Sequence, residues 1–199
     1  QVLSALFTSP LPAQARLLLS IAHFYPTKDL IGYLHALARV ARGLPSVRAV
    51  VLGDGEQREQ LEALRARLGL QDIVALPGAR SDAATLLSGA DLFVLSSAKE
   101  GMPWTVLEAM AANTPIVATD VGSNAWVLRG HAGWVVPPRD PDALAAAISD
   151  ALCHTEDARL RSKRARTALE TRFAEQDMWE STFHALEPRN AVDLAVQTT

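Results

Sequence analysis

Residues 90–122 read ADLFVLSSAKEGMPWTVLEAMAANTPIVATDVG, and the order of elements in this stretch decides the fold. An apolar strand, LFVL at 92–95, leads into a polar loop, and a helix then runs from Pro103 to about Asn113. Proline suits the first turn of a helix, where its missing N–H has no acceptor to lose. A second apolar strand, PIVAT at 115–119, follows. The pattern predicts a strand, a loop, a helix and a strand in succession.

The rest of the chain repeats this alternation. Continuous apolar runs predict four further strands, at residues 17–22, 47–52, 73–76 and 133–137. Strands that are apolar throughout are typical of parallel sheets covered on both faces. The sequence therefore predicts an α/β fold: a single Rossmann-like, doubly wound parallel sheet of about six strands with helices on both faces. C-terminal helices are predicted after the sheet, at residues 141–154, 156–172 and 174–186.

Two glutamates, Glu100 and Glu108, stand on either side of the start of the predicted helix. A helix N-terminus presents free N–H groups and a favourable dipole to an anion such as a diphosphate. At about 1.5 Å rise per residue, Glu108 lies roughly 8 Å along the axis from that end. It can accept hydrogen bonds from ribose hydroxyls there, while Glu100 lies beyond the diphosphate, near a sugar. The alternative is a loop glutamate and a solvated helical glutamate without function.

The stretch from strand to strand resembles the E-x7-E signature of retaining glycosyltransferases with two Rossmann-like domains, the GT-B fold. More narrowly, residues 17–187 resemble the C-terminal donor-binding domain of family 4, or group 1, glycosyltransferases. The resemblance implies a nucleotide sugar as the donor substrate, linked to UDP or GDP, with no cofactor and no required metal. It also implies transfer with retention to an acceptor held by an N-terminal domain of the same enzyme. The donor-binding domain formed by residues 17–187 is then expected to be inactive alone.

The resemblance also implies roles for individual residues. Lys28, on the loop at the carboxyl end of the first strand, is expected to contact the donor diphosphate, and Glu100 to orient the sugar. His23 stands where the family usually has arginine and cannot make the paired contact of a guanidinium. It either donates one hydrogen bond to the phosphate or only packs. These three are the candidate catalytic residues. The candidate donor-binding residues are Glu108, Gly101, Met102, Pro103, Trp104, Thr105, Gly53, Leu76 and Pro77.

Two other motifs have structural interpretations. The turn at Gly53 and Gly55 lacks the third glycine of a dinucleotide fingerprint, because Arg58 occupies that position. Asp140 and Asp142 form an Asp-x-Asp pair of the kind that binds metal in another glycosyltransferase fold. Their place at the start of a helix predicts capping instead. No metal site is therefore predicted.

Polar and basic residues in the second half of the chain are also predicted to have structural roles and not roles in ligand binding. Ser123 and Asn124 are predicted to cap a short helix. The alternative, which the resemblance implies, is a place near the donor sugar. The basic helix at 156–172 is predicted to present a solvated face, with a membrane-surface or interdomain contact as the alternative. Its basic residues include Arg159, Arg161, Lys163, Arg164 and Arg166.

Composition limits the partners and the compartment. A net charge of −3 and a pI near 6.0 argue against nucleic acid as a partner. Cys153 is the only cysteine, so an intrachain disulfide is excluded and a reducing cytoplasm fits. No apolar run reaches the length of a membrane span. We expect a cytoplasmic protein, with peripheral contact at the inner face of the membrane as an open alternative.

The predicted organisation is an interdomain linker at 1–16, the donor-binding domain at 17–187 and a flexible tail at 188–199. Two alternatives to a glycosyltransferase remain at this point. One is a nucleotide-sugar epimerase of the same fold, and the other is a non-catalytic module that resembles a donor domain.

Overall fold

A six-stranded sheet forms the centre of the computed structural model, which describes residues 2–173. Its strands are β1 Arg16–Ile21, β2 Val47–Leu52, β3 Val74–Gly78, β4 Leu92–Leu95, β5 Ile116–Thr119 and β6 Trp134–Val136. The strand order is β3-β2-β1-β4-β5-β6, and every neighbouring pair is parallel. Since β1 and β4 are central neighbours, the chain winds outward from them in both directions, as in a Rossmann-like sheet. The predicted fold class is confirmed.

Helices cover both faces of the sheet. Within residues 2–173 they are α1 Leu30–Gly43, α2 Arg58–Arg67, α3 Ala83–Leu86, α4 Trp104–Ala111, α5 Asn124–Val127, α6 Pro141–Cys153 and α7 Thr155–Arg172. One core joins Leu18 and Val94 to α1, α2 and α6. The other joins Leu19 and Phe93 to α3, α4, α5 and α7. Consecutive strand residues thus enter opposite cores, which explains the continuous apolar runs.

Aspartate side chains fix the start of two helices, α1 and α6, and the sequence predicts the cap of α6. The Asp29 carboxylate accepts a hydrogen bond of 3.1 Å from the Gly32 N–H at the start of α1. Asp140 Oδ1 accepts bonds from the N–H groups of Asp142 and Ala143 at the start of α6. These bonds satisfy donors that have no partner inside the helix. The Asp-x-Asp pair is therefore a helix start.

Replacing Asp140 with alanine is expected to lower the free energy of unfolding by about 1 kcal/mol, because the capping acceptor is lost. Urea denaturation followed by circular dichroism measures the change. Asp140→Asn keeps an accepting oxygen and should retain most of the stability. Equal losses in the two variants would show that charge, and not capping, is responsible.

The first residues of the chain belong to the folded unit, which differs from the predicted linker. Leu3 is only 2% exposed, and Leu6 and Phe7 pack against the same core as α4. The predicted helix at 174–186 and the predicted tail at 188–199 lie outside the described residues. Within residues 2–173, no helix has the length and apolar character needed to cross a membrane.

The basic helix α7 is attached to the domain through three of its arginines, and one of them, Arg172, donates to the Trp126 and Val127 carbonyls. The Arg161 guanidinium lies 4.3 Å from the Trp134 ring centre and donates to the Gly133 carbonyl. Arg166 donates to the Ala111 carbonyl at the end of α4. The predicted solvated face therefore applies to only some of the basic residues. Those that are exposed without such anchors are Arg159, Lys163 and Arg164.

Candidate functional site

A cavity of about 460 Å³ opens where β1, β2 and β4 reach their carboxyl ends. Parallel α/β sheets bind ligands at this edge, where the strand order reverses. The lining combines apolar and polar groups, as is usual for small-molecule sites. Its residues are Ile21, Ala22, His23, Lys28, Leu52, Gly53, Ala79, Arg80, Ala83, Glu100, Met102, Pro103, Trp104 and Thr105.

The strongest polar feature of the cavity is an ion pair between Lys28 and Glu100. Lys28 Nζ lies 2.5 Å from Glu100 Oε1, and their side chains are 23% and 11% exposed. The loops that carry them are joined by further bonds: Ser96 Oγ donates to the Lys28 carbonyl, and the Ala98 N–H donates to Thr27. The structure therefore brings together two of the three candidate catalytic residues and holds them as one unit.

The N-terminus of α4 forms another side of the cavity. Helical residues begin at Trp104, with Pro103 as the cap residue, one position later than the sequence suggests. The Thr105 N–H has no acceptor among residues 2–173 and stands in the first turn beside the cavity. Free N–H groups and the helix dipole favour an anion there. The cavity thus offers a cation and a helix N-terminus to the same ligand.

Glu108 and Gly101 do not line this cavity. Glu108 is exposed, one turn along α4 from Trp104 and Thr105, which do line it. Residues three and four apart share a helix face, so Glu108 lies at the rim on the cavity side. Gly101 is exposed, and its carbonyl accepts bonds from Ser123.

His23 and Gly53 line the cavity where the first two strands end. The His23 ring is exposed and stacks on Tyr25, with 5.7 Å between the ring centres. Gly53 has a φ of 141°, and a Cβ there would lie 1.8 Å from the Ala22 carbonyl oxygen. Only glycine therefore permits this approach of the β2 loop to the β1 loop.

Leu76 and Pro77 lie elsewhere, contrary to the expectation that they frame the ligand of this cavity. They line a separate depression of about 190 Å³ together with Arg65 and Asp72. The β3 side of the main cavity is formed by Ala79, Arg80 and Ala83. The Arg80 guanidinium is held by two bonds to the Asp82 carboxylate, and this pairing raises the pKa of Arg80.

Ser123 and Asn124 do not cap α5, so that prediction is wrong. The Ser123 N–H and hydroxyl both donate to the Gly101 carbonyl. Asn124 is fully buried, and its amide donates to the Thr119 carbonyl. At Gly122, a Cβ would lie 2.6 Å from the Glu100 carbonyl oxygen. Ser123 and Gly122 therefore contact the loop that carries Glu100, while Asn124 holds the end of β5.

Metal ligands are not grouped in the part of the chain that the structure describes. No set of three His, Cys, Asp or Glu side chains there could hold an ion.

Comparison with known proteins identifies the family. The chain matches the family described as glycosyl transferases group 1 over residues 5–168. It belongs to this family. The lipopolysaccharide core biosynthesis glycosyltransferase LpsE of Rhizobium meliloti is 34% identical over 161 residues, which are 80% of this chain and 45% of LpsE. The alpha-D-kanosaminyltransferase of Streptomyces kanamyceticus is 32% identical over 155 residues, 76% of this chain and 39% of that enzyme.

Solved glycosyltransferase structures share the fold. Anabaena HepE in complex with UDP-glucose has a TM-score of 0.74 and 26% identity, over 79% of this chain and 45% of HepE. TarM of S. aureus has a TM-score of 0.80 at 18% identity, over 90% of this chain and 38% of TarM. The group 1 chain described here thus spans less than half the length of these relatives.

Proposed function

We propose that this chain is the donor-binding domain of a retaining glycosyltransferase. It binds a nucleoside diphosphate sugar, whose glycosyl group passes to an acceptor held by an N-terminal domain. The supporting observation is that Lys28, Glu100 and the N-terminus of α4 meet in one cavity at the carboxyl edge of the sheet. Relatives named for lipopolysaccharide core and colanic acid biosynthesis favour a carbohydrate acceptor in polysaccharide assembly. We place this reaction in the cytoplasm, at the inner face of the membrane, as part of the proposal.

Each group has a distinct role in this proposal. Lys28 and the free Thr105 N–H stabilise the negative charge that develops on the departing diphosphate, so no metal ion is required. Glu100 accepts hydrogen bonds from the donor sugar and fixes its orientation. Glu108, at the rim, accepts from the ribose hydroxyls. His23 contributes one hydrogen bond to the diphosphate.

Uridine is the nucleoside that we propose first. Support comes from HepE, which is described in complex with UDP-glucose and is 26% identical to this chain. In our proposal the base lies against Ala79, Arg80 and Ala83 on the β3 side, because the diphosphate takes the opposite, α4 side. A titration with UDP, GDP and ADP tests this assignment, and tighter binding of GDP or ADP would contradict it.

Replacing Glu108 with alanine is expected to weaken UDP binding about tenfold, since a charged acceptor for the ribose hydroxyls is lost. Isothermal titration calorimetry of the 199-residue chain measures the effect. Glu156→Ala is the matched control, because it removes an exposed helical glutamate on α7, away from the cavity. Its affinity should equal that of the wild type.

Two results would contradict this proposal, the first of them only in the role given to Glu108. Equal UDP affinity in Glu108→Ala and Glu156→Ala would remove Glu108 from the site. Absence of binding for all three nucleotides would favour the non-catalytic module, and His23 in the place of the family arginine would then be its first explanation. His23→Arg tests that explanation directly, because restored binding would show that the cavity lacks only this cation.

A further inference from the structure

The carboxylate of Glu100 is held through one of its two oxygens. Glu100 Oε1 accepts a bond of 2.7 Å from Ser97 Oγ and lies 2.5 Å from Lys28 Nζ. The other oxygen, Oε2, has no hydrogen-bond donor among the described residues. Two donors on Oε1 fix the rotation of the carboxylate, and a fixed rotation leaves Oε2 as the acceptor available to a ligand.

Burial and a hydrogen bond to its carbonyl fix the position of Ser97. Its side chain is completely buried at the end of β4, and its carbonyl accepts a bond of 2.6 Å from Thr119 Oγ1. Thr119 is buried at the end of β5, and its carbonyl accepts from the Asn124 amide. The position of the Ser97 hydroxyl is therefore fixed by hydrogen bonds at the ends of β4 and β5.

We infer that Ser97 is a positioning residue: it holds Glu100 Oε1, so that Oε2 faces the sugar of the donor. The inference rests on the proposed function and adds a residue to it. Lys28 can take part without leaving Glu100, because an ammonium group has three N–H donors and the pair uses one of them. The donor then meets the two side chains together, with its diphosphate on Lys28 and a sugar hydroxyl on Oε2.

The inference separates recognition of the sugar from recognition of the nucleotide. Ser97→Ala leaves Lys28 and α4 in place, so UDP should bind as it binds the wild type. A UDP-hexose should lose about tenfold in affinity, because an unanchored carboxylate must be ordered on binding. Ser20→Ala is the matched control: it removes another buried serine hydroxyl, which donates to the Val94 carbonyl outside the cavity.

Calorimetric titration measures the affinity for a UDP-hexose relative to the affinity for UDP. The proteins are the wild type, Ser97→Ala and Ser20→Ala, and the ligands are UDP, UDP-glucose, UDP-galactose and UDP-N-acetylglucosamine. Loss of UDP-hexose affinity only in Ser97→Ala supports the inference. Equal loss of UDP and UDP-hexose affinity overturns it, because Ser97 would then serve only the folding of the loop. If the wild type binds none of these ligands, the proposed function fails.

A crystal structure of Ser97→Ala without ligand tests the positioning separately, even if the proposed function fails. The expected result is a Glu100 carboxylate that has rotated away from its place beside Lys28 or occupies two rotamers. A carboxylate in the wild-type position, with Oε1 on Lys28, would overturn the inference whatever the nucleotide measurements show. A Ser20→Ala crystal provides the reference for the effect of removing a buried hydroxyl.

Discussion

Methionine in place of Lys28 is expected to weaken binding of UDP at least about 30-fold, which corresponds to about 2 kcal/mol. Two effects add. The diphosphate loses the cation that stands opposite the N-terminus of α4, and Glu100, which is only 11% exposed, keeps its charge without its partner. The uncompensated carboxylate then repels the incoming anion. Calorimetric titration of the variant with UDP measures the loss.

Lys99→Met is the matched control for this variant. Lys99 is a neighbour of Glu100 in sequence, is exposed and does not line the cavity, so the two variants differ from the wild type by the same net charge. A general electrostatic attraction of the domain for UDP would be reduced equally in both. Equal affinities for UDP in Lys28→Met and Lys99→Met would therefore exclude the proposed contact between Lys28 and the diphosphate.

Patterns that depend on neighbours in the chain could be predicted from the sequence. Apolar runs such as 92–95 and 47–52 coincide with strands, because a parallel strand buried on both faces requires apolar residues at every position. Lys28 and Glu100 follow the ends of two strands that are neighbours in the observed order. Parallel strands present their carboxyl ends at one edge, so the two residues meet in the cavity as expected.

The end of the third strand explains why Leu76 and Pro77 do not line the main cavity, although the sequence suggests that they would. The sequence predicts its end at Leu76, but β3 continues to Gly78, and its pairing with β2 shifts register between Val50 and Leu52. The first residues beyond the strand are consequently Ala79 and Arg80, which line the cavity. A register shift depends on two strands at once, so it leaves no mark in the apolar pattern of either.

Contacts between side chains that are distant in sequence could also not be predicted from the sequence. Ser97 is one of two adjacent serines, and nothing in the sequence distinguishes the hydroxyl that bonds Glu100 from that of Ser96, which bonds the Lys28 carbonyl. The arginines of α7 look like a charged surface. Arg161 nevertheless lies over Trp134, because the flat guanidinium can cover an aromatic ring while its N–H groups reach a carbonyl.

Replacing Gly53 with alanine is expected to lower the free energy of unfolding by about 3 kcal/mol or more. The new Cβ would stand 1.8 Å from the Ala22 carbonyl oxygen, far inside contact distance, at a φ of 141°. The residue cannot move aside easily, because its N–H donates to Gly78 and its carbonyl accepts from Arg58. The new Cβ would push apart the loops after β1 and β2, and both of these loops line the cavity. Urea denaturation measures the loss, and UDP titration measures the damage to the site.

Gly69→Ala separates the two causes of this loss. Gly69 also has a positive φ, 68°, but a Cβ there meets nothing within 4 Å. The left-handed conformation alone should cost about 1–2 kcal/mol in this variant, and UDP affinity should not change. The excess loss in Gly53→Ala then measures the collision with the β1 loop together with the larger backbone strain of an L-residue at a φ of 141°. If both variants lose the same stability, the close approach of the two loops cannot be what requires glycine at position 53.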